Sequence, residues 1–190
     1  MKRKKLIEIH EEERNSPKKK YHLFRKHISE ALGGLTNKGT WGGGHPFDVE
    51  LVRMPPKTTN FPYHVHAAQW EFYIIISGSG IVRTDGGEET IEAGDNIVFP
   101  PGEAHQITNT GSADLVYYVI ADNPQADVTN YPDTNKWAVK PAMKCFMMNE
   151  TEYYEEEDWL AFGKFRDEVT DRIFRIAKKH SRFIEKIQFI

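Results

Sequence analysis

Short stretches of alternating apolar and polar residues dominate the middle of this chain. Phe47, Val49 and Leu51 alternate with Asp48 and Glu50, which predicts a strand over Phe47–Met54, stopped by Pro55-Pro56. Further short runs follow at regular spacing. They predict strands over Tyr63–His66, Glu71–Ser77, Ile81–Thr84, Glu88–Ile91, Asn96–Phe99, His105–Thr110 and Leu115–Ile120. Asp85-Gly86-Gly87 reads as a hairpin turn. Many short strands punctuated by Gly, Pro and Asn indicate an all-β sandwich or barrel rather than βαβ units.

The flanks have a different pattern. Met1–Lys20 is polar and basic, which predicts an arm loosely attached to the body. Tyr21–Leu32 reads equally as a helix capped by Gly33-Gly34 or as a first strand, and Trp41–Pro46 reads as a loop. Ala121–Lys140 is loop-like, and Lys140–Met148 reads as a last strand. After the acidic run Asn149–Asp158, Phe165, Val169, Ile173, Ile176, His180, Phe183 and Ile187 recur at helical spacing, with Arg166, Lys178, Lys179, Arg182 and Lys186 opposite them. The expected organisation is an N-terminal arm over 1–45, a β-barrel domain over 46–148, and an acidic linker with an amphipathic helix over 149–190.

Composition narrows the function classes. The chain has 190 residues, 39% of them hydrophobic, enough for one domain and an appendage. A net charge of −3 gives no global field for nucleic acid or an anionic membrane, and no helix-turn-helix pattern occurs before residue 46. Cys145 is the one cysteine, which excludes an internal disulfide and a cysteine-based zinc site. No apolar run is long enough to span a bilayer. Met1–Lys5 resembles the basic start of a signal peptide, but Leu6–His10 is too short and charged to continue it. A soluble, cytoplasmic protein is expected, with neither nucleic acid nor membrane as partner.

The chemistry concentrates between Tyr63 and Asn109. His64 and His66 share one face of a strand, because side chains alternate. Glu71 falls on the opposite parity, so Ala67–Trp70 must bend to return it to the same side. His105 would arrive after the corner Pro100-Pro101-Gly102. Three imidazoles and a carboxylate suit one divalent transition metal, Mn, Fe, Co, Ni or Zn. On a six-coordinate ion they leave two positions open; on tetrahedral zinc they leave none.

The spacings His64-x-His66-x4-Glu71-x6-Gly78 and Gly94-x5-Pro100-x-Gly102-x2-His105-x3-Asn109 resemble the two motifs of the cupin superfamily. The likeness is to small single-barrel bacterial cupins, closest over Val49–Ile120. It extends to Tyr131-Pro132-Asp133. Thr58 stands where the first motif usually has a glycine. The resemblance implies an antiparallel jelly-roll β-barrel of six to eight strands. It also implies His64, His66, Glu71 and His105 as metal ligands, with Gly78, Gly94, Pro100, Gly102 and Asn109 in structural roles.

Parity places Tyr73 and Ile75 inward with Glu71, and Ile107 and Asn109 inward with His105. Phe72, Ile74 and Ile76 then form an outward apolar row that needs a cover, which suggests a homodimer. Tyr73 is the candidate for proton transfer; Arg53, Tyr63, Gln69 and Trp70 are candidates for substrate contact. The expected function is metal-dependent chemistry on a small organic molecule, dioxygenase-like or isomerase-like. A small-molecule sensor using the same site is the alternative. Arg83 is the only basic residue from Tyr63 to Asn109, which ranks phosphorylated substrates below unphosphorylated ones.

Overall fold

The alternating stretches are strands, and polar stretches on either side add more. The structure, a computed structural model, describes residues 1–155 together with Arg172. The helix expected from Phe165 to Ile187 lies outside the described residues. Met1–Met148 forms one unit of the chain. Its elements are β1 (Glu12–Asn15), β2 (His22–His27), one helical turn α1 (Ile28–Ala31), β3 (Phe47–Met54), β4 (Val65–His66), β5 (Glu71–Ser77), β6 (Ser79–Thr84) and β7 (Gly87–Glu92). There follow β8 (Asn96–Phe99), β9 (Gln106–Thr108), β10 (Leu115–Asp122), β11 (Asp127–Tyr131), β12 (Lys136–Lys140) and β13 (Lys144–Met147).

These strands pair antiparallel in three sheets, ordered β1-β2-β3-β10-β5-β8, β13-β12-β11-β4 and β7-β6-β9. The fold is therefore mostly β, as expected. The hydrogen-bonded ladders of the described residues form three open sheets rather than one closed barrel.

Two expectations are corrected. Met1–Lys20 is not a loose arm throughout: Glu12–Asn15 pairs with His22–Arg25, and Phe24–His27 pairs with Glu50–Arg53. The hairpin's inner face mixes the core residue Leu23 with charged groups, Arg25 and His27, turned toward carboxylates. Arg25 Nε lies 3.0 Å from Glu12, and His27 Nδ1 lies 2.9 Å from Glu50. Ala121–Lys140 is likewise not a loop. It holds the end of β10, all of β11 and all of β12, turned at Pro132–Thr134 and at Asn135, which takes a left-handed φ of 50°. Asp127 and Thr129 read as loop by composition but line a cavity.

The core joins the six-stranded and three-stranded sheets through Leu23, Met54, Ile75, Ile91, Ile107 and Leu115, among others. Burying side chains of this size contributes about 1.5–3 kcal/mol each. Gly78 turns the chain between β5 and β6 at φ +84°, and a Cβ there would stand 2.4 Å from the Asp114 carbonyl oxygen. Asn109 is fully buried and works as a bracket. It donates to the Met54 and Ala113 carbonyls at 2.8 and 2.9 Å and accepts from Gly111 N–H at 2.9 Å.

Parity on β5 is as expected. Tyr73 and Ile75 are buried, while Phe72 and Ile76 are exposed beside an exposed Val98. Phe72 pairs with both Val98 and Ile120, and Ile74 with Tyr118, so the outward face of this sheet is apolar. No helix among the described residues is long and apolar enough to cross a membrane.

Candidate metal centre

β4 is two residues long, so its position comes from neighbours. His64 exchanges backbone hydrogen bonds with His105, N–H to O at 3.2 and 2.9 Å. The His66 carbonyl accepts Gly102 N–H at 2.8 Å, which uses the Pro100-Pro101-Gly102 corner. The bend required before Glu71 is present and pinned. Ala67 N–H donates to the Val128 carbonyl at 2.9 Å, Ala68 N–H to Asp127 Oδ1 at 2.8 Å, and Trp70 N–H to Asp122 Oδ1 at 2.8 Å.

The result is a convergent cluster. One ligand-type atom from each of His64, His66 and Glu71 lies within 4.8 Å of the others. His105 Nε2 stands 2.9 Å from Glu71 Oε2 and joins the cluster through that oxygen. Its ring is stacked flat on Phe99 at 3.9 Å between centroids.

Hydrogen bonds on the far side of each ring choose the tautomer. His64 Nδ1 meets the Pro62 carbonyl at 2.8 Å, and His105 Nδ1 meets that of Glu103 at 3.3 Å. A carbonyl only accepts, so each of these Nδ1 atoms carries a proton; His64 Nε2 keeps its lone pair for the cluster, while His105 Nε2 shares a proton with Glu71 Oε2 in the metal-free chain, a proton that a metal would replace. His66 Nδ1 lies 2.6 Å from Asp127 Oδ2, with the same consequence as for His64.

The electrostatics divide the imidazoles: burial acts to lower His66, but the Asp127 bond and the nearby carboxylates outweigh it and raise that ring. Burial, with the neighbouring His105 adding to it, pushes His64 down to about 4 and keeps it neutral. Burial acts to raise Glu71, but the His105 hydrogen bond and the surrounding imidazoles outweigh it and hold the carboxyl at about 2. Burial similarly opposes ionisation of Asp127, and the His66 bond overcomes it. Imidazole nitrogens and an ionised carboxylate converging in a buried space need either protons or a cation among them. The donor set therefore fits a divalent metal.

The cluster opens onto a cavity of about 370 Å³ between the six-stranded and four-stranded sheets. Tyr73 lines it and its hydroxyl donates to Glu71 Oε2 at 2.9 Å; burial raises the phenol well above its ordinary value. Gln69 also lines it, with its amide donating to the Asp122 carbonyl. The other three expected contacts are elsewhere. Arg53 is held by Glu11 at 2.8 Å and Asp114 at 3.1 Å and does not line the cavity. Tyr63 is buried, donates to Asp85 and carries the Arg83 guanidinium over its ring at 3.9 Å. Trp70 is half exposed.

Sequence reasoning missed Asp127, which orients His66 from β11. The signal for it was the two-residue period Asp127, Thr129, Tyr131. It missed as well the basic groups of the cavity wall. Arg14, Arg25 and Lys140 all line the cavity and all lie outside the Tyr63–Asn109 stretch.

Comparison with known proteins bears on this geometry. The family described as "Cupin domain" matches residues 50–121. The chain is 33% identical over 69 residues to an oxalate-binding protein of Thermotoga maritima, covering 36% of this chain and 56% of that one. It is 33% identical over 81 residues to auxin-binding protein 1 of Arabidopsis thaliana, covering 38% and 40%. The chain thus spans about half the length of the curated relatives it matches. Among solved structures, a sugar phosphate isomerase from a cupin superfamily, of Silicibacter pomeroyi, aligns with a TM-score of 0.62 at 22% identity, over 75% of this chain and 88% of that one. The stretch that matches the cupin domain spans β4, β5 and β8–β10, and it carries the ligand cluster.

Proposed function

We propose that this chain is a metal-dependent cupin enzyme acting on a small organic molecule, with His64, His66, Glu71 and His105 holding one divalent transition metal. The observation that carries this is the set of three imidazoles, each with Nδ1 occupied, presenting Nε2 to Glu71 beside a cavity. A bound ion there supplies Lewis acidity and, where redox-active, electrons. The chain's own groups do the rest. Asp127 holds the His66 proton on Nδ1, and Phe99 fixes the His105 ring. The Tyr73 hydroxyl holds a proton at Oη beside Glu71, within reach of a molecule in the cavity. Isomerase-like and dioxygenase-like chemistry both fit this arrangement.

The test is elemental analysis of purified protein and of His64→Ala and His105→Ala, followed by dioxygen uptake and isomerisation assays on the Mn(II)- and Fe(II)-loaded forms. A wild type that carries no transition metal and cannot be loaded with one sinks the reading. A second reading, a binding protein without turnover, is favoured by the names of the two relatives, both of which are binding proteins. Ligand binding without turnover across a broad panel would select it. The apolar outward face of β5 and β8 supports a homodimer, which sedimentation at micromolar concentration checks. A cytoplasmic location belongs to the same proposal.

A further inference from the structure

The cavity wall away from the histidines is cationic in a way the metal cluster does not require. Arg25 and Arg14 project from the β1–β2 hairpin into the same cavity as His64 and Glu71, and Lys140 does so from β12. Arg25 is mostly buried. Of its N–H donors, only Nε forms a hydrogen bond among the described residues, to Glu12 at 3.0 Å; its Nη1 stands a longer 3.5 Å from Glu50. A guanidinium carries five N–H donors, so most of the fork is unspent. Arg14 has no hydrogen-bond or ion-pair partner among the described residues. Tyr117, fully buried, lines the same cavity; its hydroxyl has the Asn60 side chain beside it but forms no hydrogen bond of full geometry among the described residues. The Tyr117 hydroxyl is a buried donor without a full partner, and Arg25 beside the same cavity has donors to spare, so the site offers hydrogen bonds to something that accepts.

Charge identifies what accepts. Three basic side chains face four carboxylates, Asp48, Glu50, Glu71 and Asp127, around the cavity. A guanidinium fork matches a planar carboxylate through two parallel hydrogen bonds. With four carboxylates already on the wall, a singly charged acid meets less repulsion there than a phosphate dianion does.

We propose that the cavity takes a small organic monocarboxylate, its acid group on the Arg25 fork with Arg14 at the rim and the Tyr117 hydroxyl donating, and its other end toward the histidine cluster. This names the substrate class for the function proposed above and rests on that reading for the role of the metal, although the arginine end is testable alone.

The test is calorimetric binding to full-length protein, Mn(II)-loaded and metal-free, with 2-oxobutyrate and benzoylformate as acids, their primary amides as neutral controls, and glycerol 3-phosphate. The acids should bind the loaded protein at least tenfold more tightly than their amides and more tightly than glycerol 3-phosphate. Arg25→Lys, which keeps the charge beside Glu12 and Glu50 but removes the fork, should erase most of that preference. Arg14→Met, which breaks no contact among the described residues, should reduce it about threefold. In metal-free protein the preference should be smaller and still depend on Arg25. Equal binding of acid and amide, tighter binding of glycerol 3-phosphate, or a preference unchanged in both variants overturns the proposal. A protein that takes up no metal yet keeps an Arg25-dependent preference for acids sinks the metal reading and upholds this one.

Discussion

Asp127→Asn separates a ligand-orienting carboxylate from an ordinary buried hydrogen bond. The wild-type carboxylate accepts from Ala68 N–H at Oδ1 (2.8 Å) and, at Oδ2, from His66 Nδ1–H (2.6 Å) and at longer range from the Thr129 hydroxyl (3.5 Å). An amide has one oxygen. If it stays on Ala68, its NH₂ faces His66 Nδ1, which must then offer a lone pair, and the imidazole proton moves to Nε2. The nitrogen turned toward Glu71 is then a donor and cannot ligate. If the oxygen turns to His66 instead, Ala68 N–H loses its acceptor and the bend before Glu71 loosens. Replacing groups that orient a metal-binding histidine typically costs 10–100-fold in metal affinity, about 1.4–2.7 kcal/mol. Loss of a charge-assisted bond in metal-free protein adds about 1.5–3 kcal/mol of destabilisation. Competition with a chromophoric chelator for Zn(II) or Co(II) measures the first, and urea unfolding of metal-free protein the second. Asp133→Asn, at the exposed Arg83 pair, serves as control in the urea measurement and should cost no more than about 1 kcal/mol there. A folded Asp127→Asn protein that binds metal within threefold of wild type refutes the assignment of His66 Nε2 as a ligand oriented by Asp127.

Other outcomes follow from the same structure. Phe99→Ala removes a buried ring stacked on His105 and edge-on to Tyr73, and should cost about 3–5 kcal/mol in urea unfolding, with weaker metal binding alongside. Gly78→Ala should destabilise by roughly 1–3 kcal/mol, since it combines a left-handed φ with the Asp114 carbonyl clash. Gly86→Ala, where the nearest atom to a new Cβ is Thr84 Oγ1 at 3.5 Å, should be close to neutral by the same measurement. The Glu50 hydrogen bond, opposed by burial, raises the pKa of His27. A raised imidazole adds stability that is complete below its unfolded value of about 6.5 and disappears as pH climbs through the higher folded value. Urea midpoints should therefore fall above pH 6.5 by more in wild type than in His27→Gln; parallel curves would show that the Glu50 contact contributes nothing.

The parts legible in the sequence were those where polarity and burial agree. Glu71–Ser77 alternates because Tyr73 and Ile75 enter the core and Phe72 and Ile76 do not, so its bounds could be read from the letters. The histidines and Glu71 were legible because ligands need particular residue types at particular spacings. Where a strand turns charged groups inward, the same rule misleads. His22–His27 places Leu23 and Arg25 on the inner face, and Asp127–Tyr131 places a carboxylate, a hydroxyl and a phenol there, so both segments lacked an apolar stripe. Asp127 was illegible for a second reason: its bond to His66 spans 61 positions, and no local pattern reports a partner that far away.

β4 has a consequence for how finely the centre can be tuned. Its two residues have almost no stiffness of their own. His64 takes its place from the His105 backbone, whereas His66 takes its place from Thr129 on the four-stranded sheet and from Gly102 at the corner. The distance between adjacent ligands therefore depends on how the four-stranded sheet packs against the segment that carries His105. Substitutions far from the histidines that change this packing, at the Arg83–Asp133 tie between β6 and the turn after β11, should alter which ion radius fits before they alter whether an ion is held at all.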